Sequence, residues 1–138
     1  MAGVVRVGNV DLGVIICFEV AYDSIVRDTV AAGGQVLVVQ TNNATYGGTS
    51  QLAQQVNMSR LRAVEFGIPV LVAATSGISA VVDRDGSLRS TLDDGASGVL
   101  RAEVAVPGDE TIASRIGSLV EVALVAVAVT AVIAGVVV

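Results

Sequence analysis

Among residues able to form a covalent intermediate, Cys17 is the single cysteine of the chain. It closes the β-branched run of GVIICFEVAYD, with Glu19 two positions on. A thiolate at a strand end, where a βα connection begins, is placed to reach a crevice at the carboxyl edge of a sheet. Attack on a carbonyl carbon also needs a deprotonated thiol and an acid for the leaving group. Histidine does that work in the commonest dyads. This chain has no histidine, and all eight of its basic residues are arginines, which stay protonated and shuttle no proton. Glu19 shares a side with Cys17 if the strand continues through it, and a carboxylate there disfavours the thiolate on its own. Residue chemistry therefore leaves two readings of Cys17: a nucleophile in need of an external cation, or a small buried hydrophobe.

The elements that position this cysteine follow from hydrophobic pattern. VVRVGNVDLGVIICF reads as two strands joined around Gly8 and Asn9, the second becoming the apolar strand Gly13 to Phe18. YDSIVRDTVAAGG reads as a helix with Ile25, Val26, Thr29 and Val30 on one side and Gly33 and Gly34 as its stop. QVLVVQT is the next strand, so Cys17 ends the first strand of a strand-helix-strand unit. NNATYGGTS is a loop, and SQLAQQVNMSRLRAVEF is a helix over Ser50 to Phe66 with Leu52, Val56, Ser59, Ala63 and Phe66 near helical spacing. Pro69 leads into the buried strand VLVAAT, and Asp85-Gly86 marks a hairpin between Ala80 to Val82 and SLRSTL. GVLRAEVAV alternates well enough for an edge strand ended by Pro107-Gly108.

Composition excludes several functions. The net charge is -5, and the arginines are scattered singly from Arg6 to Arg115, so no basic patch suits a nucleic acid. One cysteine and no histidine leave no zinc set, and no amino-terminal signal peptide is visible. The chain is 53% hydrophobic and only 15% charged, more apolar than an ordinary soluble domain. Much of that excess lies in VEVALVAVAVTAVIAGVVV, Val120 to Val138, which carries no charge after Glu121. As a helix its uncharged part is roughly 25 Å long, close to a hydrocarbon core, and 120–138 is expected to span a membrane.

Two longer stretches carry a resemblance: GVIICFEVAYDSIVRDTVAAGGQVLVVQTNNATYG and QQVNMSRLRAVEFGIPVLVAATSGISAVVDRDG. They resemble the carbon-nitrogen hydrolase (nitrilase) superfamily, most closely its apolipoprotein N-acyltransferase branch, whose wording runs close to ICYE, TNDAWFG, QHLQMARFRALE and NTGISAVIDPDG. The match keeps its order from about Val5 to Gly117. The resemblance implies an α/β fold, the C-terminal half of a nitrilase-like α-β-β-α sandwich over 1–117, followed by one transmembrane helix over 120–138.

It also implies roles. Cys17 matches the nucleophile of a glutamate-lysine-cysteine site, and Glu19 matches a glutamate that assists it. Phe18 stands for a tyrosine whose backbone N–H helps hold the oxyanion. Asn42, Asn43 and Tyr46 match the active-site loop, with Asn43 in place of aspartate, Thr45 of tryptophan and Tyr46 of phenylalanine. Arg60, Arg62 and Glu65 match the ARFRALE helix, where structural pairing is expected. The family's base glutamate and lysine belong to the half that precedes the cysteine, and the chain contains no lysine. The chain alone is therefore expected to be inactive.

The implied reaction transfers an acyl chain from a phospholipid, through a cysteine thioester, to the N-terminal amine of a diacylglyceryl-cysteine lipoprotein. Its implied partners are phospholipid, that lipoprotein, the membrane, and a chain carrying the preceding half. No cofactor is implied. The expected location is the bacterial plasma membrane, with the catalytic domain on the extracytoplasmic face and the C-terminus cytoplasmic. Two rivals stand beside it: a soluble-type amidase of the same superfamily, and a membrane-anchored non-catalytic binding protein with an inert Cys17.

Overall fold

The structure, a computed structural model, describes residues 3–106 and 110–137. Six strands form one sheet in the order β1-β2-β3-β4-β5-β6: Gly3–Val7, Val10–Ile16, Val36–Asn42, Val70–Ser76, Ser79–Val82 and Leu88–Leu92. β2, β3 and β4 run parallel, while β1, β5 and β6 are antiparallel to their neighbours. The parallel strands require crossovers, which α1 (Asp23–Ala31) and α2 (Gln51–Phe66) supply.

Strand alternation sorts the side chains. Ile15 pairs with Val39 and Val39 with Val72, so these three point to one face. Each is at most 4% exposed, and they join Val26, Val56, Ala63 and Phe66 of the helices in the core. The expected stripe on α2 is formed as read, with Leu52, Val56, Ser59, Ala63 and Phe66 all buried and Gly67 stopping the helix at φ 66°. Gly13 is what lets α1 lie close to β2, since a Cβ there would sit 2.7 Å from Thr29 Cγ2 and 3.0 Å from Leu37 Cδ2.

The opposite sheet face carries Val5, Val7, Leu12, Val14, Ile16, Val38, Leu71 and Ala73, of which Val5, Val7 and Ile16 are more than half exposed. The sheet is thus helix-covered on one side and largely apolar on the other.

Three expectations change. The strand expected over Gly13 to Phe18 ends at Ile16, because Cys17–Ala21 turns into a 3-10 helix. Glu19 therefore does not continue a strand beside Cys17. GVLRAEVAV forms no strand across 98–106; it makes no ladder with β6, Val99 is 82% exposed, and Arg89 Nη1 merely donates to the Glu103 carbonyl at 2.7 Å. Alternation without a pairing edge does not make a strand. Its expected end at Pro107-Gly108 lies outside the described residues.

The apolar tail is helical: α3 spans Ile112–Ile116 and α4 spans Leu119–Val137. Among the described residues no helix is long and apolar enough to cross a membrane, and residue 138 lies outside them.

Candidate active site

The turn that holds Cys17 is built by three contacts. Ile16 ends β2 in extended conformation, and Cys17 enters the turn at φ 51°, the one positive-φ residue other than glycine among those described. A non-glycine residue there carries local strain, which persists only where its surroundings over-determine it. Glu19 closes the turn from within, its Oε2 accepting the Ile16 N–H at 2.8 Å. The buried Arg62 of α2 holds it from outside, donating to the Val20 carbonyl at 3.0 Å and the Ala21 carbonyl at 2.9 Å.

Arg62 is in turn held by carboxylates. Its Nη1 lies 3.1 Å from Asp23 Oδ1 and also pairs with Glu65. Arg27 bridges the same two acids, at 3.2 Å from Asp23 and 3.1 Å from Glu65, and stacks over Phe66 at 5.3 Å from the ring centroid. Burial pushes the Asp23 carboxyl up, but hydrogen bonding to Arg27 and the charges of Arg27 and Arg62 leave it below its ordinary 3.8. The structural pairing expected of Arg62 and Glu65 is what the geometry contains. Arg60 does something similar elsewhere, donating to the Gly86 carbonyl at 2.7 Å and so tying α2 to the β5–β6 hairpin.

Cys17 is half-buried and opens onto a cleft of about 80 Å³ lined by Phe18, Asn43, Tyr46, Gln51, Gln55 and Met58. Of the sequence-predicted residues, Cys17, Phe18, Asn43 and Tyr46 are brought together there. Glu19 and Asn42 are not. Glu19 is turned onto the backbone of its own turn, and the exposed Asn42 caps the loop by accepting the Ala44 N–H at 3.1 Å. The Phe18 ring packs edge-on against Tyr22, with centroids 6.0 Å apart. The Phe18 N–H belongs to the first turn of a helix, where main-chain donors lack intrahelical acceptors.

Two side chains that sequence reasoning passed over complete the cleft. Thr41 Oγ1 lies 3.3 Å from Cys17 Sγ and 3.0 Å from Asn43 Oδ1. Gln55 Nε2 donates to Thr41 Oγ1 at 3.2 Å and approaches the sulfur at 3.9 Å, while Asn43 Nδ2 donates to Gln55 Oε1. All three polar residues are at most 6% exposed. A signal was present: Gln55 sits three residues after Leu52 and four before Ser59, on the core-facing stripe of α2, where a buried amide must find partners. Thr41 likewise follows Leu37 and Val39 on the inward row of β3.

With this geometry in view, comparison with known proteins decides the family. The carbon-nitrogen hydrolase profile matches residues 2–110. The chain belongs to the carbon-nitrogen hydrolase family. It is 39% identical over 123 residues to an apolipoprotein N-acyltransferase of Mycolicibacterium smegmatis, covering 89% of this chain and 20% of that protein. It is 34% identical over 119 residues to the apolipoprotein N-acyltransferase of Geobacter metallireducens, covering 86% of this chain and 23% of that protein. This carbon-nitrogen hydrolase chain thus spans about a fifth of the length of those curated relatives.

Among solved structures it is similar to an amidase from Nesterenkonia sp. AN1 carrying the acetamide moiety of fluoroacetamide on its active-site cysteine. The two superpose with a TM-score of 0.57 at 25% identity, over 67% of this chain and 37% of the amidase. The mixed α/β fold of this carbon-nitrogen hydrolase chain is therefore nitrilase-like.

Proposed function

We propose that this chain is the cysteine-bearing part of an apolipoprotein N-acyltransferase. The observation that carries the reading is Cys17 itself: a sulfur held at positive φ where β2 ends, opening onto a cleft, in a chain 39% identical to one such acyltransferase. The identity to acyltransferases exceeds the 25% to the amidase, which favours acyl transfer to an amine over transfer to water.

In the proposed reaction the Cys17 thiolate attacks the ester carbonyl of a phospholipid. The carbon-oxygen bond breaks, the lysophospholipid leaves with a proton, and a thioester remains on the sulfur. The N-terminal amine of a diacylglyceryl-cysteine lipoprotein then attacks the thioester and the carbon-sulfur bond breaks; the thiolate returns, and the amine nitrogen gives up a proton that replaces the one taken by the lysophospholipid. The Phe18 N–H serves the oxyanion in both steps, Glu19 serves by holding the turn, and Asn43 and Tyr46 border the acyl group.

The proton transfers need groups this sequence lacks, since it contains no lysine and Asp11 is the only acid before Cys17. Asp11 is committed to Arg6, whose Nη2 lies 2.7 Å from it. We therefore propose that the 138 residues alone do not turn over, and that a preceding half with the glutamate and lysine packs on the open apolar sheet face.

Residues 120–138 are proposed as a membrane span on their sequence, which carries no charge after Glu121, and on the exposure of apolar side chains such as Leu124, Val127 and Ile133, each more than half exposed. Anchoring the domain to the outer face of the bacterial plasma membrane, with the C-terminus cytoplasmic, would keep the sulfur near both lipid substrates.

The test is mass analysis of the protein expressed from its native locus with its upstream DNA and extracted from membranes. The expected result is an acyl adduct on the Cys17 peptide that hydroxylamine removes and Cys17→Ala abolishes. Full maturation of lipoproteins by the Cys17→Ala protein would overturn the reading.

A further inference from the structure

The hydrogen-bond partners of Cys17 form a closed ring when the one Thr41 proton goes to Asn43 Oδ1, the nearest of its three acceptors at 3.0 Å, with Cys17 Sγ and Gln55 Oε1 each at 3.3 Å. Gln55 Nε2 donates to Thr41 Oγ1, Thr41 donates to Asn43 Oδ1, and Asn43 Nδ2 donates back to Gln55 Oε1. Each of the three thus donates once and accepts once within the ring. That closure fixes the orientation of both amides, and it leaves the second N–H of Gln55 Nε2 free to approach Cys17 Sγ at 3.9 Å. Thr41 Oγ1 also lies 3.3 Å from the sulfur, to which its hydroxyl can donate in place of Asn43 Oδ1.

We propose that Thr41, positioned by Asn43 and Gln55, is a proton-switching partner of Cys17 that holds the sulfur as a thiolate. When solvent base removes the thiol proton, the Thr41 hydroxyl rotates about its Cβ–Oγ1 bond and redirects its own proton from Asn43 Oδ1 to the sulfur. No proton leaves Thr41. Asn43 Oδ1 gives up one neutral hydrogen bond, and a charge-assisted one, roughly twice as strong, replaces it. Gln55 still donates to Thr41 Oγ1, and its second N–H faces the new charge. The three residues are at most 6% exposed, so water competes little for the hydrogen bonds they make to one another. The strained Cys17 backbone adds a reason for the ring: the sulfur is held over Thr41 by a conformation the residue would not adopt unaided.

The inference rests on the reading of Cys17 as the nucleophile, but its test needs neither phospholipid nor lipoprotein. Cys17 is the only cysteine, so the pH dependence of iodoacetamide alkylation in the 138-residue chain reports this sulfur alone. Thr41→Val keeps the shape and removes the hydroxyl; alkylation at pH 7 is expected to slow about tenfold and the profile midpoint to move up by about one unit. Thr41→Ser, which restores a hydroxyl, is expected to recover the wild-type midpoint. Gln55→Met, which removes the amide, is expected to shift it in the same direction as Thr41→Val, and it carries the test if the valine variant does not fold.

Unchanged profiles in folded Thr41→Val or Gln55→Met protein would overturn the proposal, as would a serine variant that behaves like valine. Shifted profiles with no acyl adduct on Cys17 in the native-locus protein would sustain the ring and overturn only the acyltransferase reading.

Discussion

Arg62 reaches from the buried side of α2 to donate its Nε proton to the main-chain carbonyl of Val20, three residues beyond Cys17. The same guanidinium also serves the Ala21 carbonyl and the carboxylates of Asp23 and Glu65. A single side chain thus fixes the far end of the Cys17 turn against the second helix. Its planar fork suits this, because several acceptors in different directions are met without moving the group.

Removing that fork leaves two carbonyls and two partly buried acids short of a donor. Arg62→Ala is expected to cost about 3 kcal/mol, read as a lower urea midpoint with an unchanged slope. Arg62→Lys keeps the charge but not the fork, and is expected to lose about 1–2 kcal/mol. A lysine variant as stable as the wild type would show that charge alone holds the turn.

Acid sensitivity follows from the same cluster. The Asp23 carboxyl is held below its ordinary value of 3.8, so folding favours its ionised form. Its contribution is complete above that value and is lost as pH falls through the lower, folded value. Asp11, hydrogen-bonded and charge-paired to Arg6, and Asp85, hydrogen-bonded to Ser87, are lowered too and act in the same direction. Urea midpoints measured from pH 6 downward are expected to fall below about pH 4, less steeply in Asp23→Asn, the remaining slope coming from the other acids. An Asp23→Asn protein with the full wild-type slope would remove Asp23 from this account.

Gly77 guards the cleft from a distance. It lies at φ 111°, its N–H donates to Asp94 Oδ1 at 2.7 Å, and a Cβ on it would meet Asn43 Nδ2 at 2.9 Å and Asn43 Cβ at 3.1 Å. Gly77→Ala is expected to destabilise by about 1–3 kcal/mol through backbone strain. It should also displace Asn43, slowing alkylation of Cys17 several-fold at pH 7. Loss of stability with no change in alkylation would confine the role of Gly77 to the backbone.

Membrane insertion of the tail is tested at a position that is exposed in the structure. Val127 is 68% exposed on α4, so Val127→Arg is expected to leave the domain's unfolding free energy in urea within about 0.5 kcal/mol of wild type. In a lipid-embedded helix the same change costs about 3 kcal/mol near the centre, and recovery of the protein with vesicles in a flotation assay should drop sharply. Equal flotation of the two proteins would count against insertion of α4.

The apolar runs GVIICF and QVLVVQT, with Ile25, Val26, Thr29 and Val30 on one side of the helix between them, specified the strand-helix-strand unit, and the helical spacing from Leu52 to Phe66 specified the next helix, because each pattern allows one buried face. The Asp85-Gly86 hairpin was legible for a similarly local reason, a turn whose chemistry lies within a few residues. Cys17, Phe18, Asn43 and Tyr46 were also identifiable in the sequence, as the positions of a family motif. GVLRAEVAV misled because alternation describes a surface and says nothing of whether a neighbouring strand is there to bond it.

Only the tertiary structure decided what those residues do to one another. The positive φ of Cys17 cannot be read from CFE, since it depends on Glu19 folding back and on Arg62 arriving from a helix forty-two residues past Val20. The ring of Thr41, Asn43 and Gln55 joins a strand, a loop and a helix, and its hydrogen bonds exist only once packing brings the three side chains together in a site too buried for water to replace them.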